Sequence, residues 1–142
     1  MLIQPPKFRW TREEVQDLKV KDWIEVDEGG LWDATILGVP FARASISPSG
    51  ASEFPDAFRR SWELFSTYYI DEMVDLRDFK IGDLGDVKLH ATDVAVSHDN
   101  IEQAMIKVLA QHSGKLHTTV GGDHSITAPI VRAIAKHTGK KI

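Results

Sequence analysis

Ala34, Thr35, Ile36, Leu37 and Val39 form a short apolar, β-branched run that Pro40 closes. The run does not alternate apolar with polar. Such a strand is buried on both faces, as in a parallel sheet covered by helices on either side. Residues 33–40 are therefore read as a strand, and the rest of the chain must supply the layers that cover it. Residues 79–84 are a second strand candidate, interrupted by Gly82 and Asp83, and residues 116–120 are a third.

Between these runs the periodicity is helical. Thr11 and Glu14 have the T-x-x-E form of a capping box before Val15, Leu18 and Val20, which predicts a short helix. Residues 23–30 are acidic and end in Gly29-Gly30, a turn signal. Residues 41–54 lack periodicity, and connections that long are often functional. Pro55 then opens a helix where a missing N–H costs nothing. Phe58, Trp62, Phe65 and Tyr69 recur on one face of it, as a core stripe. Residues 99–112 give the clearest helix. Asp99 and Glu102 make a D-x-x-E start, and Ile101, Ala104, Met105, Val108 and Leu109 share a face. Ser113-Gly114 ends it. After Gly121-Gly122, the residues Ile126, Ile130, Ala133 and Ile134 mark a last helix, with Gly139 where a helix C-terminus expects glycine. The order strand, helix, strand, helix, strand, helix argues for an α/β fold with a mostly parallel sheet.

Charge and composition narrow the function. Seventeen Lys+Arg against 21 Asp+Glu give a net charge of −4 over 142 residues. No basic excess marks a nucleic-acid partner. Apolar residues at 42% suffice for a packed core. The absence of cysteine excludes disulfides, thiolate metal sites and a cysteine nucleophile. No apolar run approaches the ~20 residues that cross a bilayer, and the first ten residues have no apolar signal core. The expectation is a soluble, cytoplasmic protein with no nucleic-acid or membrane partner. P-loop and G-x-G-x-x-G patterns are absent, and Ser125 has no G-x-S-x-G context.

The segment from Val120 to Thr127 (VGGDHSIT) carries the most chemistry. It joins a strand end to a helix start, and open α/β sheets bind ligands at the carboxyl ends of their strands. Gly121 and Gly122 let the backbone bend sharply. Asp123 can cap the helix or hydrogen-bond a neighbour. His124 can offer a neutral ring nitrogen to a divalent metal, although a lone histidine is more often structural. By the same reasoning His117 is read as structural, and Asp71, Glu72, Asp75 and Asp78 as a solvated acidic face. Asp83 and Asp86 are read as turn and cap residues.

Gly121 through Thr127, with Pro129 beyond, resembles the GGDHS-I-T-x-P motif of the ureohydrolase family of arginases, agmatinases and formiminoglutamases. Ile36-Leu37-Gly38-Val39-Pro40-Phe41 is similar to the first strand of agmatinase-like members. Gly50, Ala51, Pro55, Ala57 and Arg59 fit the pattern opening the next helix, and Leu84-Gly85-Asp86-Val87 resembles the D-x-G-D-V segment. The resemblance implies a three-layer α/β/α arginase-like fold, truncated here after about three strands. Residues 1–32 would be an N-terminal extension, and residues 33–142 the α/β portion of a single domain. It further implies a pair of Mn²⁺ ions at the carboxyl edge of the sheet. Their bridging hydroxide would hydrolyse a guanidino or formimino compound, agmatine-like by preference, in a homo-oligomer.

Carried over by position, His124 is a metal ligand, Asp123 a supporting neighbour, and Gly121, Gly122 and Ser125 form the turn. No catalytic acid or base is assigned. The family's remaining ligands come from a D-A-H-x-D motif after the next strand and a later D-x-D motif, neither present here. Lys140, Lys141 and Ile142 read as the first step of that next strand, so the expectation is the N-terminal part of a longer enzyme, silent by itself. The alternative is a non-catalytic α/β module that acts by association.

Overall fold

The structure is a computed structural model that describes residues 2–10 and 18–140. The capping-box segment 11–14, Val15, Lys141 and Ile142 lie outside the described residues. In chain order the elements are β1 (Ile3–Gln4), α1 (Val20–Trp23), β2 (Glu25–Val26), β3 (Ala34–Val39), α2 (Phe54–Ser61), β4 (Tyr68–Tyr69), β5 (Val74–Asp75), β6 (Ile81–Val87), α3 (Val94–Gln111), β7 (Leu116–Gly121) and α4 (Thr127–Thr138).

β3 is the central strand, and all six of its residues are buried. It pairs in parallel with β6 on one side and β7 on the other. Two short strands from residues 1–32 continue the sheet beyond β6: β1 antiparallel and β2 parallel. The non-alternating run thus marks a strand covered on both faces. Leu37 and Val39 pack with Ile101, Ala104, Met105 and Val108 of α3 and Ala133 of α4. Ile36 points the other way, with Ile24, Trp62 and Val120. These two cores, one on each face of a mostly parallel sheet, make three α/β/α layers. β7 pairs with β3 alone among the described residues. No helix of the described residues is long and apolar enough to cross a membrane.

Several expectations are corrected. α3 begins five residues before Asp99: Asp93 is its N-cap, accepting the Val96 N–H at 3.0 Å, and Asp99 lies within the helix. The D-x-x-E pattern failed because another Asp, with backbone of the right extended conformation, stood upstream. The stripe Phe58–Trp62–Phe65–Tyr69 breaks after Trp62. α2 stops at Ser61, a 3₁₀ turn carries the chain to Leu64, and Phe65 and Tyr69 are exposed. Residues 23–30 hold β2 as well as a turn, and the second strand spans 81–87.

Asp83 and Asp86 are not turn residues. Both are strand residues buried against Arg59 of α2, itself 1% exposed. Arg59 Nε and Nη2 donate to Asp83 at 2.6 and 2.9 Å, and Nη1 donates to Asp86 at 2.9 Å. Residues three apart on a regular strand face opposite ways. Here the pairing slips: Ile36 faces Asp83, but Gly38 faces Asp86, so β6 carries one extra residue. Gly85 takes φ +85° in that bulge, and a Cβ there would fall 2.2 Å from the Gln4 carbonyl. The bulge brings both carboxylates to one guanidinium. Gly38 leaves them room, since its Cβ would sit 1.8 Å from Asp86 Oδ1.

On the opposite face Glu102 of α3, nearly buried, accepts from Arg132 Nε at 2.7 Å and from Lys136 Nζ, both on α4. Hydrogen bonds from Lys136 and Arg132 hold its carboxyl below the usual 4.5, against burial.

Replacing Arg59 by Met should strand two buried carboxylates and lower unfolding free energy by about 3–5 kcal/mol, read from the urea midpoint. A loss under about 1 kcal/mol would contradict the triad's role. Glu102→Gln lowers stability at pH 7. Because the folded-state pKa is depressed, Glu102's contribution is present above its ordinary value of 4.5 and fades as pH falls through the lower folded value. The gap between wild type and Glu102→Gln should therefore narrow below pH 4.5 in a denaturation series.

Candidate functional site

β7 runs parallel to β3 with Val39 opposite Gly121, so both strands end at one edge. There the chain turns through Gly121-Gly122 into a 3₁₀ turn (His124–Ile126) and α4. The sharpness of the turn depends on Gly122. Its N–H reaches the Val39 carbonyl at 3.2 Å, and a Cβ would fall 2.3 Å from the Phe41 carbonyl and 2.7 Å from that of Val39. Only glycine allows so close a backbone approach. At Gly121 the obstacle is the tip of Ile126, a side chain that can rotate.

Asp123 pins the start of the 3₁₀ turn. Its N–H donates to the Phe41 carbonyl at 2.6 Å. Its Oδ1 accepts the Ser125 N–H at 3.0 Å and the Ser125 hydroxyl, while Oδ2 accepts the Ala44 N–H at 2.9 Å. Partial burial would raise its pKa, but the bonds from Ser125 and Ala44 outweigh it and hold the carboxyl below the usual range. Both oxygens are therefore engaged by the chain itself, tying the loop after β3 to the turn after β7. His124 differs. Its ring is exposed at this edge and makes no hydrogen bond with the described residues, so its nitrogens are open to a ligand. An open cleft of about 610 Å³ lies beside the turn, lined by residues 49–51, Glu53, Phe54 and Ala57 and by Gly121 and Gly122.

The other histidines do not join it. His117 lies near the start of β7, about 13 Å along the strand from the turn, with Nδ1 2.8 Å from the Thr35 hydroxyl. Burial, reinforced by His112, pushes its pKa down. Asp75 is engaged by Thr67 and Arg77 at the β4–β5 hairpin. Among the described residues no three His, Asp or Glu side chains cluster as a metal site. His124 thus fits as one donor, but the described residues do not by themselves assemble the set that a metal pair requires. Sequence reasoning missed His98, whose Nε2 lies 3.0 Å from the Ser125 hydroxyl. It shows no signal beyond its place on α3. A separate cavity of about 620 Å³, lined by Trp10, Trp32 and Trp62 among others, contains none of the turn residues.

These features define the class: a three-layer α/β/α protein with a ligand edge at the carboxyl ends of its parallel strands. Residues 32–142 match the family model described as the arginase family. The chain belongs to the arginase family. It is 40% identical over 104 residues to a formimidoylglutamase of Halalkalibacterium halodurans, covering 73% of this chain and 33% of that protein. It is 37% identical over 125 residues to an agmatinase of Edwardsiella ictaluri, covering 84% and 39%. The crystal structure of formimidoylglutamase from Bacillus subtilis superposes with a TM-score of 0.81 at 31% identity, covering 90% of this chain and 40% of that one. A Trypanosoma cruzi formiminoglutamase solved with Mn²⁺ gives a TM-score of 0.71 at 25% identity, covering 86% and 41%. The chain thus spans 33–41% of the length of these relatives.

The two glycines should respond differently to a methyl group. Gly122→Ala meets backbone on two sides and loses about 1–3 kcal/mol. Gly121→Ala meets one rotatable side chain and loses less. Equal urea midpoints for the two variants would contradict the close approach described.

Proposed function

We propose that the chain is the N-terminal portion of an arginase-family hydrolase that cleaves a C–N bond of a linear amidine. In this reading His124 is one donor to a manganese centre whose other ligands lie outside this chain. The observation that carries it is the exposed, unbonded imidazole of His124 on a turn whose neighbouring carboxylate is fully engaged elsewhere. His and carboxylate ligands suit Mn²⁺, and such a centre, when bound, supplies activated water near neutral pH.

This chain's residues have separate tasks. Gly121 and Gly122 bring the turn against β3, Asp123 holds it in register with the loop at Ala44, and Ser125 completes the hold. The substrate carries either a formimino or a guanidino group. A formimidoylglutamase and an agmatinase match at similar identity, so the agmatine-like preference shares its standing with formimidoylglutamate. The association-module reading rests on β7, whose outer edge is unpaired among the described residues.

The test uses the protein extended along its reading frame to the length of its relatives and loaded with Mn²⁺. Formamide release from formimidoylglutamate or urea release from agmatine is expected, with none from the 142-residue chain alone. His124→Ala should lower Mn²⁺ affinity by more than the roughly 10–100-fold that loss of a ligand's outer partner costs. Unchanged metal content and turnover in that variant would refute the ligand assignment. A native protein of only 142 residues would favour the module.

A further inference from the structure

We propose that His98 is a positioning residue for the turn that carries His124, acting as the hydrogen-bond donor at the head of a chain that runs His98–Ser125–Asp123–Ala44. The consequence for a metal rests on the function proposed above; the hydrogen-bond chain itself does not.

The polarity of this chain follows from counting donors and acceptors. Asp123 Oδ1 accepts the Ser125 N–H, and Oδ2 accepts the Ala44 N–H. A carboxylate so engaged has no hydrogen to give. The Ser125 hydroxyl lies within hydrogen-bond distance of Asp123 Oδ1 and therefore donates to it. A hydroxyl has one hydrogen, so Ser125 Oγ has only lone pairs left for His98 Nε2 at 3.0 Å. The contact closes only if Nε2 carries a hydrogen. His98 is thereby assigned the Nε2–H form.

One ring packs on His98, and the helix turn that carries it is anchored separately. Phe41, at the end of β3, packs on it with ring centroids 5.3 Å apart. The preceding residue, Ser97, is fully buried; its hydroxyl donates to the Asp93 carbonyl at 2.8 Å and accepts the His90 N–H at 3.0 Å, which anchors this turn of α3. One line of side chains thus joins three elements: α3, the turn after β7 and the loop after β3. Backbone bonds from Gly122 and Asp123 already fold the turn against β3. The contribution of His98 lies instead in fixing the Ser125 rotamer, the Asp123 carboxylate, and so the residues on either side of His124.

The test is made on the full chain labelled with ¹⁵N-histidine. Long-range ¹H–¹⁵N spectra at neutral pH should show the His98 proton on Nε2. A neutral ring protonated at Nδ1 alone would overturn the proposal, and this measurement needs no variant to fold. The second readout is amide exchange at Ala44 and Ser125. His98→Leu, which cannot donate, should accelerate it about fivefold or more, the factor that one net hydrogen bond supplies. His98→Gln, whose amide donates, should restore protection. Equal exchange in wild type and His98→Leu would overturn the proposal. The function is read apart from this. An extended protein that keeps the Nε2 proton and the Leu–Gln contrast but, loaded with Mn²⁺, turns over neither substrate upholds the positioning role and refutes the enzymatic reading. An extended protein that binds Mn²⁺ and turns over substrate with Nε2 bare does the reverse.

Discussion

A single guanidinium, buried between two carboxylates, governs how the layers meet. Arg59 reaches from α2 into the sheet and satisfies Asp83 and Asp86 of β6 together. Burying three charges is expensive, and burial works against ionisation of Asp86 while Arg59 favours it. The arrangement holds because most of the guanidinium hydrogens and carboxylate oxygens find partners. Its geometry demands three further features: an extra residue in β6, a glycine at the bulge, and a glycine on β3 opposite Asp86. Interactions of this kind contribute more to uniqueness of docking than to net stability, because breaking one member leaves unpaired charge inside.

Fixing α2 has consequences at the carboxyl edge. The residues that open α2 and precede it form one wall of the cleft whose other wall is Gly121-Gly122. That turn is pressed against the ends of β3 by its missing side chain and pinned by Asp123. α2 is thus common to the interior charge cluster and to the cleft beside the turn that carries His124. What the chain presents at that edge is the exposed imidazole of His124. The arginase-family relatives are more than twice as long as the stretch they share with this chain.

Much of the fold was legible in the residues alone. The apolar run of β3, the periodic apolar face of α3 and the glycines at 114 and 139, both with positive φ, reflect local periodicity and backbone sterics. The misread elements share one cause. Phe65 and Tyr69 continued a helical spacing, but α2 ended where tertiary contacts no longer supported it. Asp99 looked like a cap only because sequence spacing cannot show which Asp has extended backbone. Asp83 and Asp86 looked like turn residues because glycine and aspartate are poor strand formers, and the strand candidate stopped at Leu84.

The candidate site divides in the same way. The sequence by itself determined an α/β fold around a strand buried on both faces and the glycine turn that carries His124, because strand burial, glycine's freedom and residue chemistry are local properties. Only the tertiary structure decided that a bulge would gather two carboxylates on one arginine, and that a histidine on α3 would meet Ser125 from 27 residues away. Such meetings depend on the register of paired strands and the seating of helices on the sheet. Both are fixed by the packing of the whole chain, and neither leaves a mark in residue spacing.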